Sequence, residues 1–223
     1  MKARARVASF ALSLSVSLGS GCTKHVLRPP AGLGDAQELP VQGFSSGFKT
    51  SFRERDLKLG DYLVTHIDRD FDRGSERSSG GFVSETHSGA YRFDLRAGGR
   101  TLHGECTTDY ESKGKAGFAK VSSRFGCECV EGGSPRAELD IVDGKGSARI
   151  VDNDYELAVL HQPERGGPVR ANLGYRFKGP RGQQGVVDVT AHGRAWLPAA
   201  LPEDESLGLV CGYAGLFLYR PVK

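Results

Sequence analysis

The sequence predicts an all-β fold: an antiparallel sandwich or barrel of about eight to ten short strands with a C-terminal helix. Three observations carry this. Gly is abundant, at 31 of 223 residues, and punctuates short runs that alternate apolar and polar residues. Asp143-Gly144 lies between two such runs, a strong hairpin signal. Long amphipathic segments are scarce until residue 202, where Pro202-Glu203-Asp204-Glu205 reads as a helix start.

Each element follows from its pattern. Asp61–Ile67 alternates, and residues 68–81 read as a polar loop. In residues 90–96, Tyr91, Phe93 and Leu95 share one face, while Arg92, Asp94 and Arg96 share the other. This is a half-buried antiparallel strand. Gly98-Gly99 turns it into 100–110, with Leu102, Gly104 and Cys106 facing inward. After the Lys/Gly-rich stretch 112–117, residues Ala119, Val121, Ser123, Phe125, Cys127 and Cys129 share one parity. Two hairpins follow: residues 137–141 turn through 143–146 into 147–152, and, after a further strand at 155–160 broken by the loop 162–168, residues 172–178 pair through 179–185 with 186–192 before Trp196 closes the meander. Leu207, Val210, Cys211, Ala214, Phe217 and Leu218 hold helical spacing, although Gly208, Gly212 and Gly215 each weaken a helix by ~1 kcal/mol relative to Ala. A strand pair is the alternative for this stretch. No sequence repeat at a fixed period is present.

The N-terminus reads as an address. Lys2, Arg4 and Arg6 precede an apolar run from Val7 to Leu18, too short for the ~20 residues that cross a bilayer. Scattered Ser9, Ser13, Ser15 and Ser17 leave no clean helix face, so the run reads as a secretory signal rather than a buried helix. Gly19-Ser20-Gly21 then leads into Cys22. This segment resembles the lipobox of bacterial lipoproteins, in which the cysteine is diacylated and becomes the first mature residue. The family prefers Leu three places before the cysteine; here Gly19 stands there, with Leu18 one step further back. The resemblance covers residues 1–22 only. It implies lipidation at Cys22, and Thr23 after it implies the outer membrane over the inner. The organisation that follows is a signal peptide over 1–21, a lipid-anchored flexible tether over 22–43 carrying three prolines, and a single β-rich domain over 44–223.

Charge excludes one class of partner. Of the 30 Lys and Arg residues, three lie in the signal, leaving 27 against 27 acidic residues. Basic and acidic residues alternate, as in Arg53-Glu54-Arg55-Asp56, without the basic stripe of a nucleic-acid binder.

With Cys22 acylated, Cys106, Cys127, Cys129 and Cys211 remain, an even number that fits two disulfides in an exported chain. Cys127 and Cys129 are strand neighbours beyond easy bonding geometry. Cys106 and Cys127 centre on the 112–117 turn, which pairs Cys106–Cys127 and leaves Cys129–Cys211; the swap of 127 and 129 is nearly as good. A metal site built on Cys127, Cys129 and His103 lacks the paired spacings of zinc sites.

Three further motifs are weighed against plainer readings. Gly43-Phe44-Ser45-Ser46-Gly47 matches a nucleophile elbow, with Asp188 and His192 later in the chain, but no strand–turn–helix unit surrounds it. Asp68, Asp70 and Asp72 resemble a calcium loop, but Arg73 and Ser79 replace its glycine and glutamate, so a solvated loop is preferred. His25, His66, His87, His103, His161 and His192 form no ligand motif. No metal and no cofactor is therefore assigned. Tyr62, Phe71, Phe82, Tyr110 and Tyr155 near strand ends are the candidate contact residues. The functional expectation is a non-catalytic binding or structural module that engages an envelope protein or glycan. The alternative is an envelope hydrolase using Asp, Glu or His residues outside any motif.

Overall fold

The computed structural model describes residues 26–44, 56–70, 73–115, 118–164, 167–169, 172–190 and 193–219. These form fourteen strands and one helix. The strands are β1 (Gln37–Leu39), β2 (Val41–Gln42), β3 (Leu57–Leu59), β4 (Tyr62–Arg69), β5 (Arg73–Ser79), β6 (Phe82–Ala97) and β7 (Arg100–Lys115), followed by β8 (Phe118–Glu131), β9 (Ser134–Val142), β10 (Lys145–Ile150), β11 (Asn153–Leu160), β12 (Gly174–Lys178), β13 (Gln184–Asp188) and β14 (Arg194–Leu197). The helix, α1, is Glu203–Leu218. The all-β class and the C-terminal helix are thus as expected. The strands are more numerous than eight to ten, and β6, β7 and β8 are not short, at 16, 16 and 14 residues.

All pairings are antiparallel, in the order β1-β14-β13-β12-β11-β10-β9-β8-β7-β6-β4-β3-β2, with β5 added on β6. The two ends of this path, β1 and β2, are joined by Pro40 alone, so the sheet curls into a nearly closed barrel. Proline lacks an N–H and suits a point where one strand hands over from the ladder of β14 to that of β3. Hairpins drive the curl. Asp143 and Gly144 both have positive φ, 50° and 80°, as the two central residues of a tight twisted turn require.

Helix α1 fills the lumen. Thirteen of its sixteen residues are buried, on every side, which marks a helix enclosed on all faces rather than laid on a surface. It packs against β3, β6, β7, β8, β9, β10, β13 and β14, strands distributed around the ring. The three glycines that weaken it as an isolated helix are what let it seat. A Cβ on Gly208 would lie 2.6 Å from the Arg136 carbonyl oxygen, one on Gly212 3.1 Å from Leu139, and one on Gly215 2.8 Å from the Cys127 sulfur. Cys211 is bonded to Cys129 of β8, with Cα atoms 6.4 Å apart, and Cys106 to Cys127 across β7 and β8, with Cα atoms 4.0 Å apart. On the other sides the large side chains reach the opposite wall: Tyr213 donates to the Trp196 carbonyl and meets Phe177 edge-on.

The helix ends are anchored by charge. No side chain caps the N-terminus at Pro202, but Glu203, Asp204 and Glu205 occupy the first turn, where acids complement the helix dipole. Arg100 bridges Glu131 and Asp204, and Arg136 joins the same two acids. Glu205, buried, accepts from Tyr155, Arg181 and Gln183. No basic residue lies in the last turn of α1; instead Arg69 from β4 donates to the Leu218 carbonyl at 2.7 Å, and Tyr91 from β6 donates to Gly215 at 2.6 Å.

Two expectations are corrected. The polar loop assigned to 68–81 is largely strand: β4 runs to Arg69, and β5 pairs with β6 from Arg73 to Ser79. β5 reads RGSERSS and covers no core, so it lacks the alternation that announces a strand. The flexible tether assigned to 22–43 is folded wherever it is described. Leu27 is fully buried with Leu173, Val186 and Trp196, and β1 and β2 complete the barrel. The domain therefore includes residues 26–43, ahead of the expected boundary at 44.

Gly208→Ala tests the seating of α1. Helix propensity favours the change by ~1 kcal/mol, but a methyl group in contact with rigid backbone costs about 1–3 kcal/mol. The expected result is a lower urea midpoint, with net destabilisation of about 1–2 kcal/mol. A stabilised variant would show that the helix does not lean on β9 there.

Candidate functional site

Because α1 occupies the lumen, the accessible polar chemistry lies on the outer wall. One such cluster is built on β4, β6 and β7. In β6, Tyr91, Phe93 and Leu95 point into the core, so Asp94 points outward. His103 of β7 is its direct cross-strand partner. On the other flank, β4 pairs Thr65 with Asp94 and then Asp68 with Arg92, placing two residues, His66 and Ile67, opposite the single Phe93. This is a β-bulge, a device that re-aims a side chain. His66 adopts φ 51°, in the left-handed region that a non-glycine residue rarely occupies.

The result is a shared carboxylate. His66 Nδ1 lies 2.7 Å from Asp94 Oδ2, and His103 Nδ1 lies 2.7 Å from Asp94 Oδ1. Arg96 approaches the same carboxylate at 3.9 Å. The two rings are exposed, 66% and 69%, whereas Asp94 is 18% exposed. With each Nδ1–H donated to the carboxylate, each Nε2 keeps its lone pair as a base or hydrogen-bond acceptor. Partial burial by itself raises the Asp94 pKa, but the hydrogen bonds from His66 and His103 outweigh it and hold the carboxyl below its ordinary value. An open cavity of about 310 Å³ beside the cluster is bounded further by Arg92, Glu105 and Glu128. Its lining contains no Ser, Thr or Cys to act as a nucleophile. Among the described residues no group of three or more His, Cys, Asp and Glu side chains is arranged to hold a metal ion. The arrangement suits recognition of a polar or cationic ligand group and proton exchange at two imidazoles.

His87 does not join this cluster. It sits seven residues from Asp94 along β6, roughly 23 Å at strand rise, where it bonds Glu85 at 2.7 Å and lies near Tyr110. A second open cavity, of about 250 Å³, lies there, lined by Thr86, Asp109, Tyr110, Glu111 and Arg124 among others.

The other sequence-derived candidates are dispersed. Asp188 is buried and structural, bound to Arg194 and Thr190. Gly43, with φ 85°, lies against Asp56 and Leu57, and Phe44 packs at the end of α1, 5.0 Å from Phe217. Ser45, Ser46, Gly47 and His192 lie outside the described residues, as do Cys22, His25, Phe71 and Asp72. In the calcium-like stretch Arg69 turns inward to α1. Tyr155 is core, and burial together with its bond to Glu205 raises its pKa. Tyr62 packs on the core margin. Phe82 is exposed, and so is Phe118, which the sequence reading did not single out. Asp94 was also missed as a site residue. The pairing arithmetic used for the cysteines, applied about Gly98-Gly99, places it opposite His103; nothing local in the sequence announces the bulge that adds His66.

No family model, no curated protein and no solved structure matches this chain.

The cluster makes stability depend on pH. Asp94 has a folded pKa below its unfolded value of ~3.9, so its contribution is present above that value and disappears as pH falls through the folded pKa. Asp94→Asn is expected to cost about 1 kcal/mol near pH 7, below the usual range for charged hydrogen bonds because the rings face water. At acidic pH, below the folded pKa, the deficit vanishes, because the wild-type carboxyl is then protonated too. Urea unfolding at both pH values checks this; a pH-independent difference would remove the shared-carboxylate assignment.

Proposed function

We propose that the chain is an envelope lipoprotein, acylated at Cys22 and held on the outer rather than the inner membrane. Its folded part is a non-catalytic binding or structural module for an envelope protein or glycan. The observation that carries the module reading is the filled barrel. A helix buried on every side occupies the lumen where an interior ligand would sit, and the described lining of the outer-wall cavity holds no Ser, Thr or Cys. The lipobox-like segment ending at Cys22 supports the anchor, and the balanced charge after residue 21 argues against nucleic acid. No helix among the described residues is long and apolar enough to cross a membrane.

One observation favours a second reading, an envelope hydrolase: two imidazoles oriented by one carboxylate can activate a water. Release of soluble fragments from isolated cell-wall glycan, lost in His66→Ala and His103→Ala but retained in His87→Ala, would establish that reading in place of the binding module.

Cys22→Ser tests the anchor. The native protein is expected in the membrane fraction, with an intact mass carrying acyl chains on Cys22, and the variant in the soluble fraction. An unmodified Cys22 in membrane-extracted protein would overturn the assignment.

A further inference from the structure

The strands β5 to β8 run past the barrel. Inward burial in β6 to β8 stops at Tyr91, Cys106 and Phe125, yet the strands continue to Phe82, Lys115 and Phe118, seven to nine residues further. At strand rise this is roughly 23–30 Å of blade beyond the core. Register places residues of its outer end in two rows on one face. The terminal row is Ser79, Phe82, Lys115 and Phe118; the row behind it is Arg77, Ser84, Lys113 and Lys120.

We propose that this blade end docks on an anionic lipid bilayer. Two aromatic rings stand at the very end, with Phe82 55% and Phe118 88% exposed. Lys115 lies 5.6 Å over the Phe82 ring, and three more cations follow one residue-pair behind. The nearest acids on this part of the blade, Glu76 and Glu85, pair on the opposite face. Glu111, one row further from the end, holds Lys113 alone. This concentration of cations is local, because the chain beyond residue 21 is balanced overall. Apolar rings ahead of a row of cations match the order in which a bilayer presents its acyl boundary and its phosphates. Two rings at the end of a narrow blade are too little for the ~800 Å² per partner of a stable protein interface.

Val26 and Arg28 hydrogen-bond to Glu164 and Gln162, just past the end of β11. β11 ends on the side of the barrel where Asp143 meets Ser123 at the base of the blade. The described chain therefore begins at the blade's end of the barrel. Docking by the blade does not require acylation.

Phe118→Trp in the full-length chain provides the probe, because the one native tryptophan, Trp196, is buried. With phosphatidylglycerol-containing vesicles its emission is expected to shift to the blue and to be quenched by brominated acyl chains. Both effects should fade in phosphatidylcholine alone, at raised salt, and by roughly fivefold in affinity for each of Lys113, Lys115 and Lys120 changed to Gln. The response should persist with Cys22→Ser, which separates this proposal from the acylation one. Unchanged emission on anionic vesicles overturns it, as does a blue shift that appears only with a soluble envelope protein.

Discussion

The contact between α1 and the wall formed by β7, β8 and β9 is the constraint on which the rest depends. A helix with its side chains is ~10 Å across, and a barrel of eight strands encloses only side chains. Here the wall counts twelve staves when β1 and β2 are taken as one, which is the room a central helix needs. Even so the fit is one-sided. Gly208, Gly212 and Gly215 bring the backbone against Arg136, Leu139 and the Cys106–Cys127 bridge, and Cys211 binds the same wall through Cys129. Tyr213 then reaches Phe177 and the Trp196 carbonyl on another side.

Filling the lumen decides where the molecule can meet a partner. Small barrels that bind ligands inside leave their interior open; this one does not. What remains is the outer wall and the strands that outrun the core. Both carry local departures from regular geometry that packing does not demand. His66 holds a left-handed backbone in a bulge, and two phenylalanines stand in water where the blade ends. Strain and exposed apolar surface both cost stability, and their coincidence with charged clusters is the pattern expected of contact sites.

The core was legible in the sequence because it obeys a two-residue period. Tyr91, Phe93 and Leu95, then Leu102 and Cys106, then Phe125, Cys127 and Cys129 all turn inward as their parity requires. The helix was legible from its spacing despite three glycines, whose purpose only the wall explains. Barrel and sandwich share that period, so closure was not legible; it depends on residues 37–42 pairing on both sides, a long-range event. β5 was invisible because both its faces are polar. Of the outer-wall cluster, His66 and His103 entered the sequence reading only as histidines in no ligand motif. Asp94 was read only as a solvent-facing residue, since a bulge and a cross-strand carboxylate leave no local signature.

The closure itself is slender. β1 and β2 contribute three and two paired residues, on either side of a proline with no N–H to give. Without them, β14 and β3 would face each other as two open edges, the element most prone to pair with another chain. The segment is held from both ends. Upstream, Leu27 fills a small apolar cluster beside Trp196 and Arg194 reaches the Leu27 carbonyl at 2.6 Å; downstream, Phe44 meets Phe217 of α1 edge-on. The helix therefore supports the seam as well as the interior. A stretch whose prolines and irregular composition suggest a passive spacer is, from Val26 onward, the stave that turns an open sheet into a barrel. Segments proposed as tethers in β-rich proteins are for that reason judged by what they bury, not by composition alone.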